Sequence, residues 1–146
     1  YRLRGGPAHT AVLGSSLGGL AAFDLAWRHP GVFGTVGAMS GSFWWRTQDG
    51  TTEQKQASRV ALAMVREATP LPRLRIWLET ADGDETSDRD GNGIIDSIQD
   101  TDDLVDALVA RGYVEGKDVV HVTVHGGHNQ ETWGGVLPEF LVFAFR

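Results

Sequence analysis

Two rhythms of hydrophobic and polar residues alternate along this chain: short continuous apolar runs, and longer stretches in which apolar residues recur three and four positions apart. The short runs read as strands buried on both faces, the pattern of a parallel sheet. They fall at residues 10–13, 36–39, 74–78 and 119–124. Helical spacing appears between them. Residues 17–27 place Leu17, Leu20, Ala21 and Leu25 on or near one face, and this helix must stop by His29 because Pro30 follows. Residues 46–58 are polar and predict a loop leading into a helix over 59–67, after which Pro70 and Pro72 interrupt. Residues 102–111 predict an amphipathic helix with Leu104, Val105, Leu108 and Val109 apolar and Gly112 as its stop. A last helix is predicted over 132–143, where Pro138 should kink or restart it. Alternating strands and helices predict the α/β class: a mostly parallel sheet of about four strands with helices on both faces.

Composition narrows the picture. A chain of 146 residues, 41% hydrophobic and 22% charged, is that of a single globular domain without repeats or an interior linker. Its size is enough to remove roughly 70% of the unfolded surface from water. The absence of cysteine excludes a disulfide scaffold, a thiolate metal site and a cysteine nucleophile. No apolar window is long enough for a membrane-spanning helix. The net charge of -6 comes without a basic stripe, which argues against a nucleic-acid partner. The chain starts at Tyr1 with no basic-then-apolar leader, so it is expected to be a mature or truncated piece of a longer product.

Chemistry enters at residues 14–18. Gly14-Ser15-Ser16-Leu17-Gly18 fits G-x-S-x-G, and it lies where an apolar strand ends and a helix begins. That context lifts Ser16 above a sheet on a strained turn. A serine hydroxyl needs a base to take its proton, and the base needs an acid to orient it. His128 is the favoured base: it stands past a strand end in the glycine-rich segment Gly126-Gly127, at the sheet edge where functional groups converge, and His125 is the reserve. The third strand delivers four acids to that same edge, Glu79, Asp82, Asp84 and Glu85. The residues alone do not choose among them.

Four blocks carry a family resemblance: Gly-Ser-Ser-Leu-Gly-Gly-Leu-Ala-Ala-Phe at 14–23, His-Pro-Gly-Val-Phe-Gly at 29–34, Met-Ser-Gly-Ser-Phe-Trp-Trp at 39–45, and Gly-Gly-His-Asn-x-x-x-Trp at 126–133. Together they resemble the esterase branch of the α/β-hydrolases that includes esterase D, enterochelin esterase, feruloyl esterase and the mycolyltransferases. The resemblance implies a partial α/β-hydrolase fold and a serine carboxylic-ester hydrolase. It matches Ser16 to the nucleophile, His128 to the base and Asp84, with Asp82 next, to the acid; Ala81 stands where many relatives have glycine. Relatives have several strands before the nucleophile, and these supply one of two oxyanion donors. The 146 residues are therefore expected to be the C-terminal half of a hydrolase domain, with one sheet edge uncovered, Leu17 N–H as the one donor that can be named, and poor activity by itself. No cofactor is implied for catalysis, and the implied substrate is a small-molecule or carbohydrate-linked ester. Acyl transfer uses the same three residues.

A further motif lies in the acidic insert at residues 84–100. Between Glu79 and Asp103, ten acids face one base, Arg89. Within this run Asp88, Asp90, Asn92, Ile94 (through its carbonyl) and Asp96 occupy the ligand positions of an EF-hand-type calcium loop, with Gly93 at the sharp turn and Gln99 where a bidentate glutamate would stand. A structural Ca²⁺ is thus expected, weaker than in a sensor protein. It would leave the chemistry to Ser16, or stabilise a noncatalytic binding module. Calcium-rich surroundings lean toward an extracytoplasmic setting, and the location is otherwise open. Trp44 and Trp45 follow the second strand and are expected to wall a substrate pocket, unless one belongs to the core.

Overall fold

The computed structural model describes residues 4–146. Four parallel strands, β1 (Ala11–Ser15), β2 (Thr35–Met39), β3 (Arg75–Gly83) and β4 (Val119–Gly127), pair in chain order β1-β2-β3-β4. The connections carry α1 (Leu17–Arg28), α2 (Thr52–Ala57), α3 (Val60–Glu67) and α4 (Asp96–Ala110), and α5 (Gln130–Phe145) ends the chain. A single turn of 3-10 helix, Pro7–His9, precedes β1.

Strand alternation divides the core into two layers. Ile76 and Leu78 of β3 join Phe23, Ala26, Leu62, Val65, Leu104 and Leu108, so α1, α3 and α4 cover one face. Trp77 points the other way and joins Met39, Val136, Phe140 and Ala144 beneath α5. Placing all three crossovers on one face follows from crossovers of uniform hand between strands laid down in sequence. Helices on both faces of a parallel sheet agree with the pattern read from the sequence.

Boundaries moved where long-range contacts outweigh local pattern. The strand expected at 74–78 runs to Gly83, and the one expected at 119–124 runs to Gly127, since the two pair along their whole length. The polar stretch 46–58, expected as a loop, contains α2, started by a capping box in which Thr51 and Gln54 satisfy each other's backbone N–H groups. The helix expected from residue 102 begins at Asp96, because Asp100 and Thr101 are buried within it. Pro138 lies inside α5, which continues through it. A proline ring inside a helix crowds the backbone four residues earlier, and that position is Gly134, which has no side chain to add to the crowding.

Candidate active site

The sharp turn after β1 puts Ser16 at φ 55°, and the turn after β2 puts Ser40 at φ 46°. They are the two non-glycine residues with positive φ among the described residues, and they sit at neighbouring strand ends. Such strain persists only where surrounding bonds hold it. Ser16 N–H donates to the Met39 carbonyl at 2.9 Å, and Ser40 N–H donates to the Glu79 carbonyl at 2.7 Å, so each bend continues the sheet's ladder. The bend at Ser16 also forces the backbone at Gly14 against Gly18: a Cβ on Gly14 would lie 2.0 Å from the Gly18 carbonyl oxygen, whereas one on Gly18 would meet open space.

β4 ends at Gly127, and Asn129 caps α5 by accepting from the N–H groups of Glu131 and Thr132 at 3.0 and 3.1 Å. His128 is held between these two fixed points. Its Nε2 lies 2.9 Å from Ser16 Oγ, and its Nδ1 lies 3.3 Å from Asp84 Oδ1. The structure thus brings Ser16, His128 and Asp84 into one line across 112 residues of sequence separation, the first pair hydrogen-bonded and the second in ion-pair contact.

Asp84 directly follows β3, whose pairing with β4 slips by one residue at that end: Ala81 pairs with Val124 but Gly83 with Gly127, so β4 carries the extra residue of the bulge. The bulge needs glycine, since a Cβ on Gly83 would lie 2.5 Å from the Gly126 carbonyl oxygen. The Asp84 side chain is 1% exposed and well supplied with donors. Ser40 Oγ–H donates to Oδ1 at 2.8 Å, and Ala81 N–H donates to Oδ2 at 3.0 Å. Trp133 Nε1–H in turn donates to Ser40 Oγ at 2.9 Å, and the same indole meets the His128 ring edge-on at 5.2 Å between centroids. Ser40 and Trp133 therefore orient the acid and the imidazole. Both residues stand inside the family blocks, yet neither has a role legible from sequence. The available signal was position alone: Ser40 directly follows β2, and Trp133 lies in the first turns of the helix after His128. No local rule turns either position into a bond near an aspartate.

The other three acids go elsewhere. Asp82 accepts from Gly126 N–H at 3.1 Å and pairs with His125 Nδ1 at 2.9 Å, which lowers the Asp82 pKa and raises that of the exposed His125. Glu85 lines a cleft, and Glu79 is buried in the sheet. His121 bonds Thr80 and Asp102. Leu17 is the first residue of α1, so its N–H belongs to the group without an intrahelical acceptor, immediately beside Ser16.

Trp44 and Trp45 are both half-exposed, with centroids 5.4 Å apart, and it is the preceding Phe43 that enters the core. Their segment is tied to the turn at Ser16 by Ser42 N–H donating to the Ser16 carbonyl at 3.1 Å. Trp44 borders a cleft of about 440 Å³ with Arg46, Lys55, Glu85 and Arg89.

The acidic loop is organised by its own backbone. Asp88 accepts from the N–H groups of Asn92 and Gly93, Asp90 from Asn92 N–H and the Gln99 amide, and Asn92 from Ile94 N–H. Asp96 instead accepts from Arg89 N–H, and the Arg89 guanidinium binds Asp100 at 2.7 Å. Among the described residues no three acidic or histidine side chains gather around one point. The expected ligands Asp88, Asp90, Asn92 and Ile94 share the loop, but Asp96 is drawn to Arg89, so the expected set is not brought together as one shell.

Three comparisons bear on this arrangement. The model for the family described as "Putative esterase" matches residues 2–144. Among solved structures, the enterochelin esterase of Shigella flexneri is 25% identical with a TM-score of 0.70, over 96% of this chain and 31% of that one. A ferulic acid esterase is 23% identical with a TM-score of 0.71, over 100% of this chain and 55% of that one. An S-formylglutathione hydrolase from Staphylococcus aureus, 14% identical with a TM-score of 0.73, shares the fold over 100% of this chain and 55% of its own. The chain thus spans between about a third and just over half of these proteins' lengths. No curated protein sequence matches it.

Proposed function

The chain belongs to that esterase family, and from this premise we propose that the protein is a serine carboxylic-ester hydrolase working through Ser16, His128 and Asp84. The observation that carries the reading is the unbroken line Ser16 Oγ, His128 imidazole, Asp84 carboxylate, with contacts of 2.9 and 3.3 Å. Ser16 Oγ–H donates to His128 Nε2, and the oxygen attacks the ester carbonyl carbon as the proton passes to the imidazole. Asp84, buried and already accepting from Ser40 and Ala81, keeps His128 Nδ1 protonated and balances the imidazolium. The tetrahedral oxyanion forms beside Leu17 N–H at the positive end of α1. His128 then returns the proton to the departing alcohol, leaving an acyl group on Ser16. A water molecule, deprotonated by His128, releases the acid and restores the hydroxyl.

A complete oxyanion hole has two donors, and losing one typically costs about 10² to 10³ in rate. The described residues offer Leu17 N–H next to the nucleophile, and among them β1 is an open edge of the sheet that can accept further strands. The related structures are about twice to three times as long as this chain. The second donor is therefore assigned to a segment outside the 146 residues, which alone should hydrolyse esters about 10² to 10³ times more slowly than a protein that includes it. The substrate is proposed to be a small-molecule or carbohydrate-linked ester whose acyl or aromatic part meets Trp44, which lines the neighbouring cleft, and Trp45, whose ring lies 5.4 Å from it.

The test is labelling of the intact protein with a fluorophosphonate probe, with the adduct mapped by peptide mass. Modification at Ser16, lost in His128→Asn, is expected. Labelling elsewhere or nowhere would leave a noncatalytic module as the reading. Product analysis with competing alcohols then separates hydrolysis from acyl transfer.

A further inference from the structure

Glu79 lies in the middle of β3 with its side chain wholly buried and neither carboxyl oxygen hydrogen-bonded. Strand alternation puts it on the same face as Trp77, the face that α5 covers. Its register neighbours are Met39 on β2 and Val122 on β4, and α5 lays Trp133, Val136 and Phe140 over the same layer. Among the described residues no cation faces it from these elements. On β4, His121 turns to Thr80 and Asp102, and His125 is exposed and paired with Asp82. On α5 the ionisable residues Glu131 and Glu139 are exposed, and on β3 Arg75 stacks over Phe143. The charge that does act on Glu79 is that of Asp84, the acid that touches His128.

A buried carboxylate with no cation beside it and a like charge nearby is expensive to ionise, and the Ser40 backbone N–H, which favours the charged form, offsets this only in part, so the group holds its proton instead. Burial first, and the negative charge of Asp84 second, push the Glu79 carboxyl up to about 7.

Resting on the esterase reading, we propose that Glu79 is a positioning residue of the catalytic line: a buried, unpartnered carboxyl behind Asp84 whose own protonation decides whether one negative charge or two stands behind the His128 imidazole. Ionisation of Glu79 sends its proton to solvent and sets a second anion beside Asp84. Two anions hold the imidazolium more firmly than one, so His128 becomes a free base only at higher pH. Two of the four acids that the sequence offered for one role are then both used, in different protonation states.

The experiment compares the intact protein with its Glu79→Gln form, which keeps the side chain's size and cannot ionise. The kcat/KM for p-nitrophenyl acetate and the rate of fluorophosphonate labelling at Ser16 are followed from about pH 5 to about pH 9, a range that brackets the base's working span. The acid limb of both profiles is expected at lower pH in Glu79→Gln, by about half a unit or more. Superimposable acid limbs overturn the proposal, as does a change in thermal midpoint with no movement of the limb. No labelling at Ser16 in the unmodified protein overturns the esterase reading instead, so the two failures are distinct. Should Glu79→Gln not fold, the ¹³C resonance of the Glu79 carboxyl in the unmodified protein decides the matter. A neutral carboxyl in mild acid that ionises near neutrality is expected, and one that is ionised throughout refutes the proposal.

Discussion

Ser40 joins two parts of the site through one hydroxyl, and that makes its removal informative. It donates to Asp84 at 2.8 Å and accepts from Trp133 at 2.9 Å, and it is almost completely buried. Ser40→Ala deletes a bond to a buried carboxyl group, worth about 1.5–3 kcal/mol, and strands the Trp133 indole N–H without an acceptor. Taken together the loss in stability should be about 2–3 kcal/mol, or roughly 5–10 °C in thermal midpoint for a chain of this size. Trp133→Phe keeps an aromatic ring beside His128 but removes the donor, and should cost about 1–2 kcal/mol. Because both changes delete the same indole-to-hydroxyl bond, the double variant should be less destabilised than the sum by about 1 kcal/mol. Urea unfolding of the four proteins gives this coupling energy. Activity follows the same logic: Asp84 loses a donor that fixes its carboxylate against His128, so Ser40→Ala should lower kcat/KM by about tenfold to a hundredfold. Strict additivity of the two stability losses, within about 0.3 kcal/mol, would refute the shared bond. Unchanged kcat/KM in Ser40→Ala would refute its part in orienting the acid.

The two glycines of the nucleophile motif should respond oppositely. Gly14→Ala drives a methyl to 2.0 Å from the Gly18 carbonyl oxygen and should abolish soluble expression or Ser16 labelling, whereas Gly18→Ala enters open space and should retain both. Stability should depend on pH through Glu79, whose carboxyl rises from 4.5 to about 7 on folding. Between those values the folded chain keeps a proton that the unfolded chain releases, so stability falls as pH rises across that window, by at most about 3 kcal/mol, and this contribution is level above it. Chemical denaturation at a series of pH values should show that slope, and Glu79→Gln should lack it. For the acidic loop, a calcium site of millimolar affinity predicts that about ten-fold excess over Kd raises the thermal midpoint of chelator-treated protein by about 3–5 °C. Asp88→Asn should remove that rise; no rise in the unmodified protein would mean that Arg89 keeps Asp96 and the loop takes no ion.

Much of the architecture is written in local pattern. Four apolar runs between helical stretches are enough to predict a parallel sheet, since only strands covered on both faces are apolar throughout. The proposed nucleophile is legible for a like reason: Gly14, Ser16 and Gly18 at a strand-to-helix junction describe a bend that few other residues allow. His128 is legible because its glycine-rich turn sits at the end of a strand. The start of α4 was less so, because Asp100 is polar by type yet buried by its bonds to Arg59 at 2.5 Å and Arg89 at 2.7 Å, partners outside its own helix. Trp44 and Trp45 carry the same lesson in reverse, apolar by type but left half-exposed while Phe43 fills the core.

The amino-acid order by itself determined the class of fold, the strained serine and the histidine that could serve it, since each follows from spacing within a few residues. Which acid meets that histidine was decided only in three dimensions. Glu79, Asp82, Asp84 and Glu85 are close in sequence and similar in chemistry, yet strand alternation and the one-residue slip between the ends of β3 and β4 leave them in four different surroundings. One is sealed in an apolar layer, one pairs with His125, one faces a cleft, and Asp84 alone arrives at His128 with Ser40 and Ala81 already bonded to it. Carboxyl groups take their roles from the donors, charges and water around them, and those are properties of the packed chain.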